Sequence, residues 1–170
     1  MNAPEIKELL KNSYAFRSSS IFIPEYTWGD LRIDALVLDT RRRWIRGFEI
    51  KISRNDFLQD DKWVLYSEFC SSLSIVCPAE VIQPSEIKKP FGLMWVEPGK
   101  WETRLLWKKK PIKFQKRNSL AWFWTYTNVL EKEIIRMDRE MAIMKRHIND
   151  NNLSQIPPLR PFITDGELNA

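Results

Sequence analysis

The chain has 170 residues, 44% hydrophobic and 29% charged, with a net charge of +5. That length supports one domain with a substantial core plus a short appendage, and the composition excludes disordered and collagen-like chains. No apolar run is long enough to span a bilayer, Met1–Leu10 lacks a secretory apolar stretch, and the single histidine, His147, excludes paired-histidine metal sites. Cys70 and Cys77 match no metal or redox spacing, so reduced thiols in a cytoplasmic protein are expected.

Pro4-Glu5 opens a helix that carries Ile6, Leu9, Leu10 and Tyr14 on one stripe to about Phe16. Ile21–Tyr26 and Leu31–Leu38 read as strands around a Trp28-Gly29-Asp30 turn, and Trp44–Ser53 as a third strand. Ser53-Arg54-Asn55-Asp56 resembles a capping box and starts a helix expected to reach about Cys70. Leu73–Cys77 is a short strand, Pro84–Ile87 one helical turn, and Phe91–Val96 with Trp101–Leu106 a hairpin. The sum is an α/β arrangement with a mixed sheet over residues 1–117.

Residues 118–150 predict one long helix. Phe123, Thr127, Leu130, Ile134, Met137, Met141, Met144 and Ile148 alternate spacings of four and three, a heptad seam. The seam packs on its own domain, with Trp122 and Trp124 as the contact, or on a second copy, making a homodimer through 118–150. Residues 151–170, with Pro157, Pro158 and Pro161, read as an extended tail.

Positive charge is concentrated in two places. Residues 41–54 hold Arg41, Arg42, Arg43, Arg46, Lys51 and Arg54 against Glu49 alone. Residues 108–117 carry Lys108, Lys109, Lys110, Lys113, Lys116 and Arg117 with no acid. Two such clusters in one small domain point to a polyanion, and without a basic amphipathic helix a membrane surface is disfavoured.

Candidate chemistry lies on the second and third strands. Alternation puts Trp44, Arg46, Phe48, Ile50 and Ile52 on one face of the third strand, and Ile45, Gly47, Glu49, Lys51 and Ser53 on the other. Antiparallel pairing through the four-residue loop Thr40–Arg43 sets Asp34 opposite Glu49. Two carboxylates that close repel, and need a cation or a shared proton. Mg²⁺ suits two carboxylates plus waters, with Lys51 beside it to orient a water or offset phosphate charge. The structural alternative is a cross-strand Asp34–Lys51 salt bridge. Asp56, Asp60 and Asp61 near a helix start read as dipole partners or ligands of a second metal. Lys62 and Tyr66 read as phosphate contacts or surface packing.

Arg32–Ala35 (Arg-x-Asp-Ala), Gly47–Lys51 (Gly-Phe-Glu-Ile-Lys) and Ser53–Phe57 (Ser-Arg-x-Asp-Phe) resemble the PD-(D/E)XK nuclease superfamily. The likeness is closest to its MmcB-type DNA-repair and phage-associated branch. Asp60–Trp63, Tyr66, Cys70, Val76–Pro78 and Gly92-Leu93 extend it, so that it covers roughly residues 1–107. Ile33, where the family name has proline, departs from the pattern. The resemblance implies a restriction-endonuclease-like αβββαβ core, here followed by the long helix. It also implies Mg²⁺- or Mn²⁺-dependent hydrolysis of DNA, by endonuclease action, in a bacterial or phage-infected cell. RNA stays open as a substrate. Asp34 and Glu49 would be metal ligands with the Ile50 carbonyl, Lys51 the catalytic lysine, and Glu25, or next Glu8, a further acid. Arg41, Arg42, Arg43, Arg46, Arg54, Lys62, Lys108, Lys109, Lys110 and Lys113 would hold the backbone. The alternatives are a non-cutting DNA-binding protein of the same fold, and an assembly factor acting through 118–150.

Overall fold

The computed structural model describes residues 1–15, 19–60, 62–114 and 119–150. In order they form α1 (Ala3–Ala15), β1 (Ser20–Trp28), β2 (Leu31–Asp39), β3 (Trp44–Ile50), α2 (Arg54–Gln59) and a 3₁₀ helix (Lys62–Glu68). Then come β4 (Ser72–Pro78), β5 (Gly92–Pro98), β6 (Thr103–Lys109) and α3 (Ser119–Asp150). The fold is α/β, with a six-stranded sheet ordered β1-β2-β3-β4-β5-β6. β3, β4 and β5 run parallel, and the remaining pairs are antiparallel, so the sheet is mixed. Asp61, Lys116, Arg117 and the expected tail lie outside the described residues. Among the described residues no helix is long and apolar enough to cross a membrane.

Short turns set the register. Gly29 takes φ +57° in the two-residue β1–β2 turn, a conformation open to glycine without strain. At the β2–β3 loop the Asp39 carboxylate accepts from Arg42 N at 2.8 Å. Ala35 then pairs with Phe48, the expected register, and the ladder ends there, one residue short of Asp34 and Glu49. On one face Ile6, Leu10 and Tyr14 of α1 pack on Ala35, Val37, Phe48 and Ile50. On the other, Trp63, Tyr66 and Phe69 pack on Ile33, Leu36, Ile45 and Leu73 with Val129 of α3.

Several boundaries differ from the sequence reading. β3 ends at Ile50 rather than Ser53. Lys51 N still bonds the Val76 carbonyl at 2.9 Å, but Ser53 then caps α2, its Oγ accepting from Asp56 N at 3.1 Å. The helix expected to reach Cys70 stops at Gln59. Asp60 is extended (φ −111°, ψ 116°), and a 3₁₀ helix follows. Pro84–Ile87 is a turn, not a helix, closed by Glu86 N on the Gln83 carbonyl.

Residues 1–129 form one compact unit and the described residues from 130 onward another. In the first unit α3 buries Thr125 and Val129, with Trp122 and Tyr126 packed alongside, and Thr125 Oγ1 lies 3.4 Å from Tyr26 OH. Trp124 is exposed, so only Trp122 of the two expected tryptophans makes this contact. Of the seam, Phe123 is exposed in this unit, and Leu130, Ile134, Met137, Met141 and Met144 are exposed in the second. In the second unit Arg136 pairs with Glu133 and Glu140 one turn away on either side. His147 is exposed, and the side chain of Ile148 lies outside the described residues.

Candidate active site

Asp34 enters the site where the alternation of β2 slips. Ile33, Leu36 and Leu38 belong to one core, whereas Ala35 and Val37 belong to the other, so the period of two breaks across Asp34. On β1, Pro24 pairs with Ala35 and Tyr26 with Ile33, leaving Glu25 opposite Asp34. Glu25 has φ +51°, a left-handed conformation uncommon outside glycine. Asp34 Oδ2 accepts from Ile50 N at 2.8 Å, which ties β2 to the end of β3.

Glu49 and Lys51 follow on β3 and just beyond it, and both are buried. Lys51 Nζ lies 3.2 Å from Glu49 Oε1, 2.5 Å from Asp60 Oδ2 and 3.9 Å from Asp56 Oδ1. The alternative Asp34–Lys51 bridge is not among these contacts. Glu49 Oε2 is buried with no hydrogen-bond partner among the described residues. Burial first, and then the charge of Asp34, push the Glu49 carboxyl up to about 7 against the pull of Lys51. Burial would lower the pKa of Lys51, but the Asp60 hydrogen bond and the Glu49 charge outweigh it and hold the ammonium raised. Burial, followed by the charges of Glu49, Asp60 and Asp34, pushes the Tyr66 phenol up, and its hydroxyl donates to the Arg32 carbonyl at 2.6 Å. Tyr66 is thus a buried wall beside the carboxylates.

Asp60 is the residue the sequence reading undervalued. Asp56 lies in α2 and Asp60 in the extended residue after it, and the break in the helix is what lets both approach Lys51. Glu25 is a correction in the other direction. Its exposed carboxylate is bound by Lys7 of α1 at 2.7 Å, and that hydrogen bond holds its pKa down. It is therefore committed to α1 rather than to the carboxylate pair. Glu8 is exposed and pairs with Lys11.

The expected phosphate-binding residues disperse. Arg54 is held by both Glu86 oxygens, at 2.6 and 2.5 Å. Lys62, exposed at the start of the 3₁₀ helix, adds its charge beside Asp60. Lys108 pairs with Glu97 at 2.9 Å, and Lys109 donates to the Ile87 carbonyl. A register shift at Leu93/Met94 separates these neighbouring lysines. Arg43 lies over Trp122, 6.0 Å from its ring centroid, and Arg41 is exposed. Arg42, Arg46 and Lys113 instead gather on Trp44. By the strand alternation Trp44 and Arg46 lie on the sheet face opposite Glu49 and Lys51. Of the cations expected to hold a phosphate backbone, Arg42, Arg46, Lys110 and Lys113 therefore gather at Trp44 and its surroundings, away from the carboxylate site, and the others are spread among separate partners.

No family model matches the chain, and no curated protein matches it. Among solved structures it is similar to a protein of unknown function from Silicibacter pomeroyi, with a TM-score of 0.55 and 18% identity. The likeness covers 82% of this chain and 86% of that one. It concerns the fold alone.

Proposed function

We propose that the protein is a metal-dependent nuclease of the PD-(D/E)XK superfamily, with a restriction-endonuclease-like αβββαβ core. Its reaction is hydrolysis of DNA phosphodiester bonds, in repair, recombination or phage DNA processing. The observation that carries this reading is Glu49 Oε2, a buried carboxylate oxygen left bare beside Asp34 and Lys51. Such an oxygen is costly without a partner, and a hard divalent cation would satisfy it.

The donor set fits that cation. Asp34 and Glu49 offer two carboxylates, and the Ile50 carbonyl belongs to the same strand end. Among the described residues no three acidic, histidine or cysteine side chains group as a metal cage. Mg²⁺, however, needs only one or two carboxylates and keeps its waters. Bound there, Mg²⁺ or Mn²⁺ supplies the charge that polarises a phosphate and activates water. The Ile50 N–H fixes the Asp34 carboxylate, and Tyr66 closes one side. Lys51, held among three carboxylates, stays an ammonium, so its role is to offset phosphate charge and not to take a proton.

A non-cutting DNA-binding member of the same fold is the second reading. The 2.5 Å Lys51–Asp60 contact favours it, because that contact engages the very ammonium a reaction would use. The test is incubation with branched, single-stranded and duplex DNA in Mg²⁺, Mn²⁺ or EDTA. Metal-dependent cleavage, absent in EDTA and in Asp34→Ala, is expected. Uncut DNA in every metal arm, with Asp34→Ala keeping full affinity, would replace the nuclease with the binding protein.

A further inference from the structure

The opposite face of the sheet carries a second feature, which the carboxylate site does not use. A pocket of about 260 Å³ opens there, with Trp44, Phe48, Trp107, Arg46, Lys110 and Lys113 among its lining residues. It draws one cation from the 41–54 cluster and two from the 108–117 cluster. Among the described residues no carboxylate lines it. Asp39 is buried and already shared between Arg42 and Arg46, at 3.5 Å from each. Three cations crowd the Trp44 ring, with Lys113 Nζ 4.4 Å, Arg46 Cζ 5.7 Å and Arg42 Cζ 5.8 Å from its centroid. Trp107, from β6, is partly exposed at the same pocket.

We propose that this pocket binds one nucleotide unit of a single-stranded nucleic acid, with the base against Trp107 and the phosphate on Arg46, Lys110 and Lys113, the cations gathered beside Trp44. Three observations combine. An exposed indole beside cations of which Lys110 and Lys113 have no acidic partner among the described residues matches a flat aromatic group that carries an anion, the chemistry of a nucleotide. A volume of about 260 Å³ has room for one nucleotide unit and not for several. A base enters such a pocket only when unstacked and unpaired, which selects single strands over duplex. The inference does not need the carboxylate site to cut. Because the two features lie on opposite faces of β3, a strand held here is gripped away from Glu49 and Lys51, as a flanking segment is.

The test is fluorescence anisotropy of the full chain with labelled ten-residue oligothymidylate and a duplex of equal length, in EDTA so that cleavage plays no part. Oligothymidylate is expected to bind at least about tenfold more tightly than duplex. Trp107→Ala is expected to weaken it about tenfold, in line with removal of a base stack. Lys113→Glu and Lys110→Glu are each expected to weaken it and to flatten the salt dependence by about 0.7 in log–log slope for each phosphate no longer neutralised. The two lysine variants alter half-buried or exposed side chains, so they report even if Trp107→Ala does not fold. Thymidine monophosphate is expected to compete better than inorganic phosphate. Wild-type binding in both lysine variants, equal binding of duplex, or equal competition by inorganic phosphate would each overturn the proposal. Cleavage by protein whose lysine variants bind normally would remove the pocket and leave the nuclease reading standing. Loss of binding in those variants without any cleavage would do the reverse.

Discussion

Lys51 Nζ lies 2.5 Å from Asp60 Oδ2, and this contact joins the end of β3 to the break between α2 and the 3₁₀ helix. Asp60 Oδ1 meanwhile accepts from Lys62 N at 2.9 Å, so a single side chain holds the ammonium and starts the next turn. Asp60→Ala leaves a buried ammonium with one close carboxylate. A loss of about 1–3 kcal/mol is expected, measured by urea unfolding. Unchanged stability would show that the contact holds nothing in place.

Glu49 gives a pH-dependent prediction. Its folded carboxyl is raised from 4.5 to about 7, mainly by burial and then by Asp34. The folded state therefore keeps a proton that the unfolded chain releases first. Metal-free stability should fall as pH rises from 4.5 to 7 and level off above that, by up to about 3 kcal/mol from this group. Glu49→Gln should remove most of that fall while abolishing metal-dependent cleavage. Denaturant midpoints at pH 5 and pH 8 in EDTA test it. A variant that keeps the full wild-type fall would contradict the assignment.

Gly47 lies on the Glu49 face of β3 with no room for a side chain. A Cβ there would sit 2.7 Å from Ile33 Cδ1 and 2.8 Å from both Cys70 Sγ and Leu73 Cδ1. Gly47→Ala should cost about 1–3 kcal/mol through overpacking, read as a lower thermal midpoint. Because the clash is beside Glu49, cleavage should fall with it. A neutral substitution would mean that this core yields easily.

The exposed seam of α3 bears on assembly. Met137, Met141 and Met144 line up at heptad spacing with exposed side chains, and a second copy covering them is the arrangement the sequence pattern implies. The full chain is then expected to be dimeric at micromolar concentration by light scattering, and Met137→Glu with Met141→Glu to make it monomeric. A monomeric wild type would end the homodimer reading of residues 118–150. Truncation at 117 is the wrong control, because Trp122, Thr125 and Val129 pack into the first unit.

Local rules made much of the site legible in advance. Strand alternation and a four-residue loop were sufficient to give the register in which Ala35 pairs with Phe48, which carries Asp34 to the end of β3, where its carboxylate meets Ile50 N. The Ser53 cap was equally readable, since its partner Asp56 is three residues away. Both depend on backbone geometry over a few residues.

What the sequence by itself determined, then, is the order of elements, the β2–β3 register and the Glu49–Lys51 pairing on one strand face. Only tertiary structure decided that Asp60 breaks a helix to reach Lys51, that Glu25 goes to Lys7 of α1, and that Trp122 rather than Trp124 meets the core. It also decided that Lys108 and Lys109 are spent on Glu97 and the Ile87 carbonyl while Lys113 joins Arg46 on Trp44. Each of these outcomes is a choice among distant partners. A buried or half-buried charge takes the counter-ion, carbonyl or ring that packing brings within a few ångströms, and local pattern carries no information about which one arrives.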